Sequence, residues 1–274
     1  MAIAAHGRQS SLGGRCSGPG PRHRSSRPLH RLRPMRDRRW LRLGLGAALA
    51  SVLYACTPVP VVTHSDSPDT AVDAIALTRD GNDQFAVDRH GAGATVTAPA
   101  TNTGENTRAL FFPSRGASTT DGVACATWVS ESTWLIQEGV ALRISTDGGR
   151  TRAITVTKNV FVGATWIFNV HVADTGSWTP LTQVGSVDLG AVLSRNGWPL
   201  PLPWRLCARS SGGVVQLKAW RAGEAEPDWS DRRHGGTVRV DPQWVYPGRA
   251  GWYVGHLPPG GSVELAGLGV ATAG

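Results

Sequence analysis

The sequence lacks the patterns that mark several large classes of protein. No stretch keeps a helical period over three turns, which excludes a helix-rich domain. It contains no Cys-x-x-Cys spacing and no histidines at i, i+4 or in His-x-His, so no zinc or redox motif is legible. A Gly-x-Ser-x-Gly elbow and a Ser/His/Asp set are also absent, which removes the usual signatures of serine hydrolases.

Basic residues are not in excess after residue 42, the part of the chain in which a nucleic-acid-binding domain would need them. The formal net charge is +8. Residues 1–42, however, hold 11 of the 28 Lys and Arg and one of the 20 Asp and Glu. From Leu43 onward the chain has 17 basic and 19 acidic residues, a net charge of −2. Such a body does not gather phosphates, so we expect no nucleic-acid partner.

The apolar run Leu43–Ala55 is too short to cross a bilayer, because a spanning helix needs about 20 residues. Four arginines precede it, as in an export signal. The sequence therefore predicts a signal peptide at residues 35–55, with Met35 as the true start. Residues 1–34 are then an extension outside the translated protein, or else a disordered basic tail. The arginines are Arg36, Arg38, Arg39 and Arg42.

Leu53-Tyr54-Ala55-Cys56 resembles a bacterial lipobox, which implies diacylation of Cys56 and a stable membrane anchor. Ordinary cleavage after Ala55 is the alternative. Residues 56–72 have no period and are predicted to be a tether between the anchor and a domain at 73–274. We expect an exported protein on the outer face of the membrane, or one released to the cell envelope.

Two cysteines, Cys125 and Cys207, remain in the predicted domain. An even pair in an exported protein favours a disulfide. Two buried free thiols are the alternative.

Short alternating segments cut by Gly, Pro, Asn and Asp predict many strands and an all-β sandwich or jelly roll. In Ala164–Val172, one face carries Trp166, Phe168, Val170 and Val172, and the other carries Thr165, Ile167, Asn169 and His171. Leu189–Leu193 fits one helical turn. The predicted strands are Ala74–Leu77, Gln84–Val87, Thr95–Ala98, Arg108–Phe112, Val123–Ser130, Gly139–Ser145, Arg152–Thr157, Ala164–Val172, Val184–Leu189, Trp204–Arg209, Val214–Trp220, Thr237–Val240, Gly251–Leu257 and Ser262–Thr272.

Leu217–Trp229, a strand followed by a Gly and Pro loop between two tryptophans, resembles a segment of concanavalin A-like domains. Gln137–Arg143 resembles the central concave-sheet strand of laminin-G or concanavalin A-like domains, and Gly251–Gly255 with Val263–Leu265 their closing strands. The resemblance implies a concanavalin A-like jelly-roll sandwich of two antiparallel sheets. The whole chain is also similar to exported lipoproteins of GC-rich bacteria.

Tryptophan supplies the candidate ligand contacts, because an indole face stacks on sugar rings. Trp166, Trp220 and Trp252 lie in alternating segments and are assigned to the core. Four others lie in or near predicted loops and are the candidate ligand-binding residues. They are Trp134, Trp178, Trp198 and Trp229.

Three carboxylates, Glu224, Glu226 and Asp228, alternate like the catalytic acids of laminarinase-type jelly-roll glycosidases. Gly223 and Pro227 predict a loop there rather than a strand, which favours a solvated, non-catalytic role. Glu138 is expected to form a rim salt bridge with Arg143 or another arginine.

No cofactor is predicted, although Asp80-Gly81-Asn82-Asp83 offers oxygen ligands suited to calcium; an Asx-rich turn is the alternative. The sequence favours a non-catalytic cell-envelope binding module with a glycan ligand. A glycoside hydrolase of the same fold and a structural or adhesive surface protein are the alternatives.

Overall fold

The computed structural model describes residues 71–77, 85–100, 107–133 and 135–272. Within them the chain forms sixteen strands, a short helix α1 (Gly190–Leu193) and a 3-10 turn (Pro242–Trp244). In chain order the strands are β1 (Val72–Ala76), β2 (Ala86–His90), β3 (Gly93–Thr97), β4 (Thr107–Pro113), β5 (Gly122–Glu131), β6 (Gln137–Asp147), β7 (Arg150–Lys158), β8 (Ile167–Asp174), β9 (Leu181–Asp188), β10 (Ser194–Arg195), β11 (Trp198–Pro199), β12 (Trp204–Ser211), β13 (Val214–Arg221), β14 (Gly235–Arg239), β15 (Arg249–Leu257) and β16 (Ser262–Thr272).

Fourteen of these strands form two antiparallel sheets, and every predicted strand overlaps one of them. The first sheet has the order β1-β4-β15-β6-β7-β8-β9, and the second has the order β14-β13-β12-β5-β16-β3-β2. The predicted fold, a concanavalin A-like jelly-roll sandwich, is confirmed. Strand β6, which resembles a central strand of that fold, is fourth of seven in its sheet.

Alternation along the strands builds the core, because successive side chains point to opposite faces of a sheet. In β8 the apolar residues Phe168, Val170 and Val172 share one face, as predicted, and that face packs in the main core between the two sheets. Trp128 of β5 packs from the other side, with its ring centroid 5.7 Å from Phe168 and 6.2 Å from Trp204. The two sheets therefore meet through interdigitated aromatic side chains.

The three tryptophans assigned to the core take different positions. Trp252 lies in the main core, and its indole donates to the carbonyl of Cys125 at 2.8 Å. Trp166 is half-buried against that core. Trp220 is buried as expected, in a small hydrophobic cluster on the outward face of its sheet and not between the two sheets. Side chains alternate along β13, so Val215, Leu217 and Ala219 point inward and Trp220 points outward.

The predicted disulfide between Cys125 and Cys207 is confirmed. The two residues are paired directly across β5 and β12, on the outward face of the second sheet. They form a small buried cluster with Val123 and Trp220. The bridge therefore staples two neighbouring strands that are far apart in the sequence.

One hairpin was missed by the strand prediction. Strands β10 and β11 pair through Arg195 and Trp198, with Asn196 and Gly197 between them at φ 54° and 77°. Asn-Gly is the preferred pair for such a two-residue turn, because both positions need a positive φ. The flanking strands are only two residues long, too short for an alternating pattern. The predicted helical turn at Leu189–Leu193 is confirmed.

The expected rim salt bridge between Glu138 and Arg143 does not form. Glu138 is fully buried and faces Lys158, whose Nζ lies 3.2 Å from its Oε2 without hydrogen-bond geometry and 2.7 Å from Glu131 Oε2. Arg143 instead donates to the backbone carbonyls of Thr120, Trp244 and Gly212. Arg143 does not point toward Glu138 because β6 has a bulge between Leu142 and Ser145, where Arg143 has a φ of 53°.

The predicted signal peptide, Cys56 as the predicted acylation site, most of the predicted tether and the Asp80–Asp83 segment lie outside the described residues. Among the residues that the structure does describe, no helix has the length and apolar content needed to cross a bilayer.

Candidate functional site

Six polar side chains form a strip on the face of the first sheet that turns away from the second sheet. The register pairs two threonines of β7 with an asparagine and a histidine of β8, and these with a serine and a glutamine of β9. Directly paired residues share a face, so the six side chains lie in two adjacent rows. We call this set the polar strip; its members are Thr155, Thr157, Asn169, His171, Gln183 and Ser186.

Hydrogen-bonding capacity in the polar strip is left unused. Oγ1 of Thr155, Oγ1 of Thr157 and Nδ1 of His171 are buried without a hydrogen-bond partner. Such groups are rare in native proteins and cost about 1–3 kcal/mol each. The threonines are fully buried, His171 is 9% and Asn169 7% exposed, and the two residues on edge strand β9 are exposed. The strip thus runs from an open edge to a buried interior.

The imidazole of His171 is uncharged at neutral pH. Burial, together with the smaller effects of Arg108 and His256, lowers its pKa to about 4. His256, whose Nε2 lies 3.3 Å from Nη2 of Arg108, has its pKa lowered to about 4 by burial and by that arginine. A neutral imidazole offers one donor and one acceptor. The strip therefore presents uncharged donors and acceptors to a ligand.

Apolar side chains border the polar strip on the same face. Ala153, Ala173 and Tyr253 belong to a second buried cluster beside it. The hydroxyl of Tyr253 donates to Oε1 of Gln137 at 2.7 Å, and its ring is fully buried beside the strip. Polar groups set against apolar surface are the usual lining of a small-molecule site. This arrangement suits a neutral ligand that carries both hydroxyl groups and C–H faces.

The loop after β13 folds back over the outward face of the second sheet. Lys218, whose side chain is 4% exposed, lies 2.6 Å from Oε1 of Glu226 and donates to the carbonyl of Pro227 at 2.7 Å. The Nζ of Lys218 lies 4.5 Å from the ring centroid of Trp229. The Cζ of Arg209 lies at the same distance from that centroid. The buried lysine therefore fastens the loop, and two cations already engage the half-buried ring of Trp229.

The three carboxylates considered for hydrolysis lie in this loop, because β13 ends at Arg221. Asp228 accepts hydrogen bonds at 2.8 Å from the backbone N–H and the hydroxyl of Ser230, and these lower its pKa. A glycosidase acid needs a raised pKa instead. Glu226 is paired with Lys218. Neither residue is prepared as a general acid.

The candidate tryptophans do not converge on one site. Trp178, between β8 and β9, is 100% exposed, and Trp198, in β11, is 69% exposed. Trp229 lies on the outward face of the second sheet, beside the disulfide cluster. Trp134 lies outside the described residues.

No group of three or more His, Cys, Asp or Glu side chains that could hold a metal ion occurs among the described residues. The Asp80–Asp83 segment, with its oxygen ligands suited to calcium, is not among them.

No protein family model and no curated protein matches this chain. Solved structures resemble it at about one identical residue in ten. They include the carbohydrate-binding module CBM66 from Bacillus subtilis (10% identity, 73% of this chain and 95% of that one, TM-score 0.42). The others include the exoplasmic/lumenal domain of VIP36 bound to Ca²⁺ and Man3GlcNAc (10%, 73% and 83%, 0.43) and a galectin-like protein of unknown function from Bacillus subtilis (10%, 78% and 93%, 0.40). Similarity at this level does not indicate a ligand for this chain.

The polar strip was not recognised from the sequence, although a signal for it was present. Asn169 and His171 share the face of Ala164–Val172 opposite the apolar residues, and Thr155 and Thr157 alternate in the same way in β7. Four such residues on strands that follow each other in the chain predict a polar row when the strands pair.

Proposed function

We propose that this protein is a non-catalytic, lipid-anchored binding module of the cell envelope whose ligand is a glycan held on the polar strip. The observation that carries the proposal is the set of three buried polar atoms without partners on Thr155, Thr157 and His171. Sugar hydroxyls both donate and accept, so a glycan that reaches these atoms can supply the partner that each of them lacks.

The chemistry of the face favours a neutral sugar over other ligands. Hydroxyls and amides line the strip, His171 is uncharged, and the residues buried beside it, Ala153, Ala173 and Tyr253, add no charge. Binding without hydrolysis is favoured because Asp228 has a lowered pKa and Glu226 is held by Lys218. Export and anchoring are supported by the arginine-rich segment, the short apolar run and Cys56.

A glycan array probed with the purified protein identifies the ligand, and strip variants then test the site. Thr155→Val removes one unpartnered hydroxyl and keeps the shape of the side chain. We expect unchanged or higher stability, because a buried unpaired group is lost. We also expect glycan affinity to fall by up to about tenfold, since one hydrogen bond contributes about 0.5–1.5 kcal/mol.

Asn169→Ala tests the middle of the strip, between the buried threonines and the exposed residues of β9, and Gln243→Ala, on an exposed residue away from it, is the matched control. Binding should be constant from neutral pH to about pH 5 and fall near pH 4, where the imidazole of His171 gains a proton. Glycan affinity that is equal in wild type, Thr155→Val and Asn169→Ala would remove the strip as the site.

A further inference from the structure

An open pocket lies on the opposite side of the molecule from the polar strip. It has a volume of about 360 Å³ and is lined by Thr127, Arg205, Trp220 and the loop residues Ala222, Gly223, Glu224 and Glu226. Arg205 is paired in register with Thr127 on one side and Trp220 on the other, so these three side chains form its floor. The floor belongs to the second sheet, and the loop after β13 forms the rim.

Arg205 has donors to offer a ligand. Its Nη1 donates to Oγ1 of Thr127 at 2.9 Å and to the carbonyl of Gly267 at 3.2 Å. A guanidinium has five N–H donors, so three remain on Nε and Nη2. These two contacts hold the planar group from one side, and its free edge has the fork geometry that matches a carboxylate.

The rim carries one carboxylate that is not neutralised. Glu226 is paired with the buried ammonium of Lys218 at 2.6 Å, so this pair contributes little net charge. Glu224 is exposed and has no ion pair among the described residues. The pocket therefore presents one positive group on its floor and one negative group on its rim.

We infer that this pocket binds a small zwitterion that carries a carboxylate and a primary ammonium, as a free amino acid or a short peptide does. The ligand carboxylate meets Arg205, and the ammonium meets Glu224. Trp220 and Ala222 provide apolar surface for the carbon skeleton between them. An anion alone would meet the rim carboxylates, and a cation alone would meet the guanidinium, so each is disfavoured by a like charge. The site is independent of the polar strip.

Nuclear magnetic resonance titration of the full protein tests this assignment, with the backbone amides of Ala222 and Gly223 as reporters. The probes are alanine, alanyl-alanine, N-acetylalanine without an ammonium, and alaninamide without a carboxylate. We expect saturable shifts with alanine or alanyl-alanine, and at least tenfold weaker binding of both blocked probes. The first two probes separate a free amino acid from a peptide.

Two variants connect the binding to the pocket. Glu224→Gln removes an exposed charge without a structural partner. It should weaken the binding of alanine or alanyl-alanine at least fivefold. Alaninamide, which keeps only the ammonium, should lose its remaining affinity. Arg221→Gln, an exposed neighbour outside the pocket, is the control and should bind as wild type does. The assignment is overturned by equal binding of all four probes, by no saturable shift with any of them, or by a Glu224→Gln variant that binds like wild type. The polar-strip variant Asn169→Ala should bind these probes as wild type does, even if its glycan affinity has fallen.

Discussion

At the scale of single residues, the unusual feature is a lysine buried between two glutamates. Lys158 and Glu138 face inward from adjacent strands of the first sheet, and Glu131 reaches the same ammonium from the second sheet. Burial, only partly offset by Lys158, raises the pKa of Glu138 from 4.5 to about 8. Burial alone would lower the pKa of Lys158, but the two carboxylates outweigh it and raise that pKa. The group links the two sheets at the cost of desolvation.

Replacing Glu138 by Gln should change how stability depends on pH. A carboxyl whose folded pKa is raised binds its proton more tightly in the folded state, so its stabilising effect is complete below about pH 4.5 and disappears as the pH rises through about 8. Wild type should therefore lose stability as the pH rises from about 4.5 to about 8, and the part of this loss above about pH 6.5 lies beyond the ordinary pKa of His171 and His256. Glu138→Gln should lose much less.

Urea unfolding at several pH values measures this effect. The control is Glu264→Gln on β16, a carboxylate that accepts a hydrogen bond from the hydroxyl of Ser130 at the surface. Lys158 keeps its 2.7 Å partner Glu131 in the Glu138→Gln variant, so the fold is retained. Parallel stability profiles for wild type and Glu138→Gln would show that Glu138 does not gain its proton in this range.

At the scale of elements, β5 and β12 are joined twice, by their hydrogen-bonded register and by the Cys125–Cys207 bridge. The bridge lies under the loop that Lys218 fastens, next to Trp220 and Trp229. The central strands of the second sheet are thereby held against its outward cover.

Removing the bridge should destabilise the protein markedly. The two cysteines are 82 residues apart, and in the chain-entropy model closing a loop of that length stabilises by about 4.5 kcal/mol. We expect the Cys125→Ala/Cys207→Ala variant to unfold at a clearly lower temperature than oxidised wild type in calorimetry. Reduced wild type should resemble the variant, and an unchanged melting temperature in both would show that the bridge adds no stability.

At the scale of the whole molecule, charge is divided along the chain. Residues 1–42, with 11 basic residues and one acidic residue, carry a net charge of +10, and the remainder has a net charge of −2. This division fits a basic segment that directs export and a domain that then functions outside the membrane. Proposed anchoring at Cys56 places both candidate binding surfaces at the cell envelope.

Replacing Cys56 by Ala tests the anchor. If Cys56 is diacylated, the Cys56→Ala variant should move from the membrane fraction to the medium or accumulate as an unprocessed precursor, because two acyl chains are needed for stable anchoring. Fractionation and mass spectrometry of the mature N-terminus measure both outcomes. A Cys56→Ala variant that is processed normally and stays in the membrane fraction would reject lipidation.

The sequence by itself determined the all-β class, the positions of the long strands, the disulfide pair and the loop between Arg221 and Trp229. These features follow from local patterns, since a period of two and Gly or Pro breaks are written within a few residues. It also placed Asn169 and His171 on one face of β8, without showing which strands lie beside them.

Only the tertiary structure decided which distant residues meet. Cross-strand register brings Thr155 beside His171, and Arg205 between Thr127 and Trp220. The inward turn of Glu138 to Lys158, in place of Arg143, depends equally on the pairing of β6 with β7. Register follows from the packing of whole faces against each other, and a shift of one residue would send every one of these side chains to the opposite face.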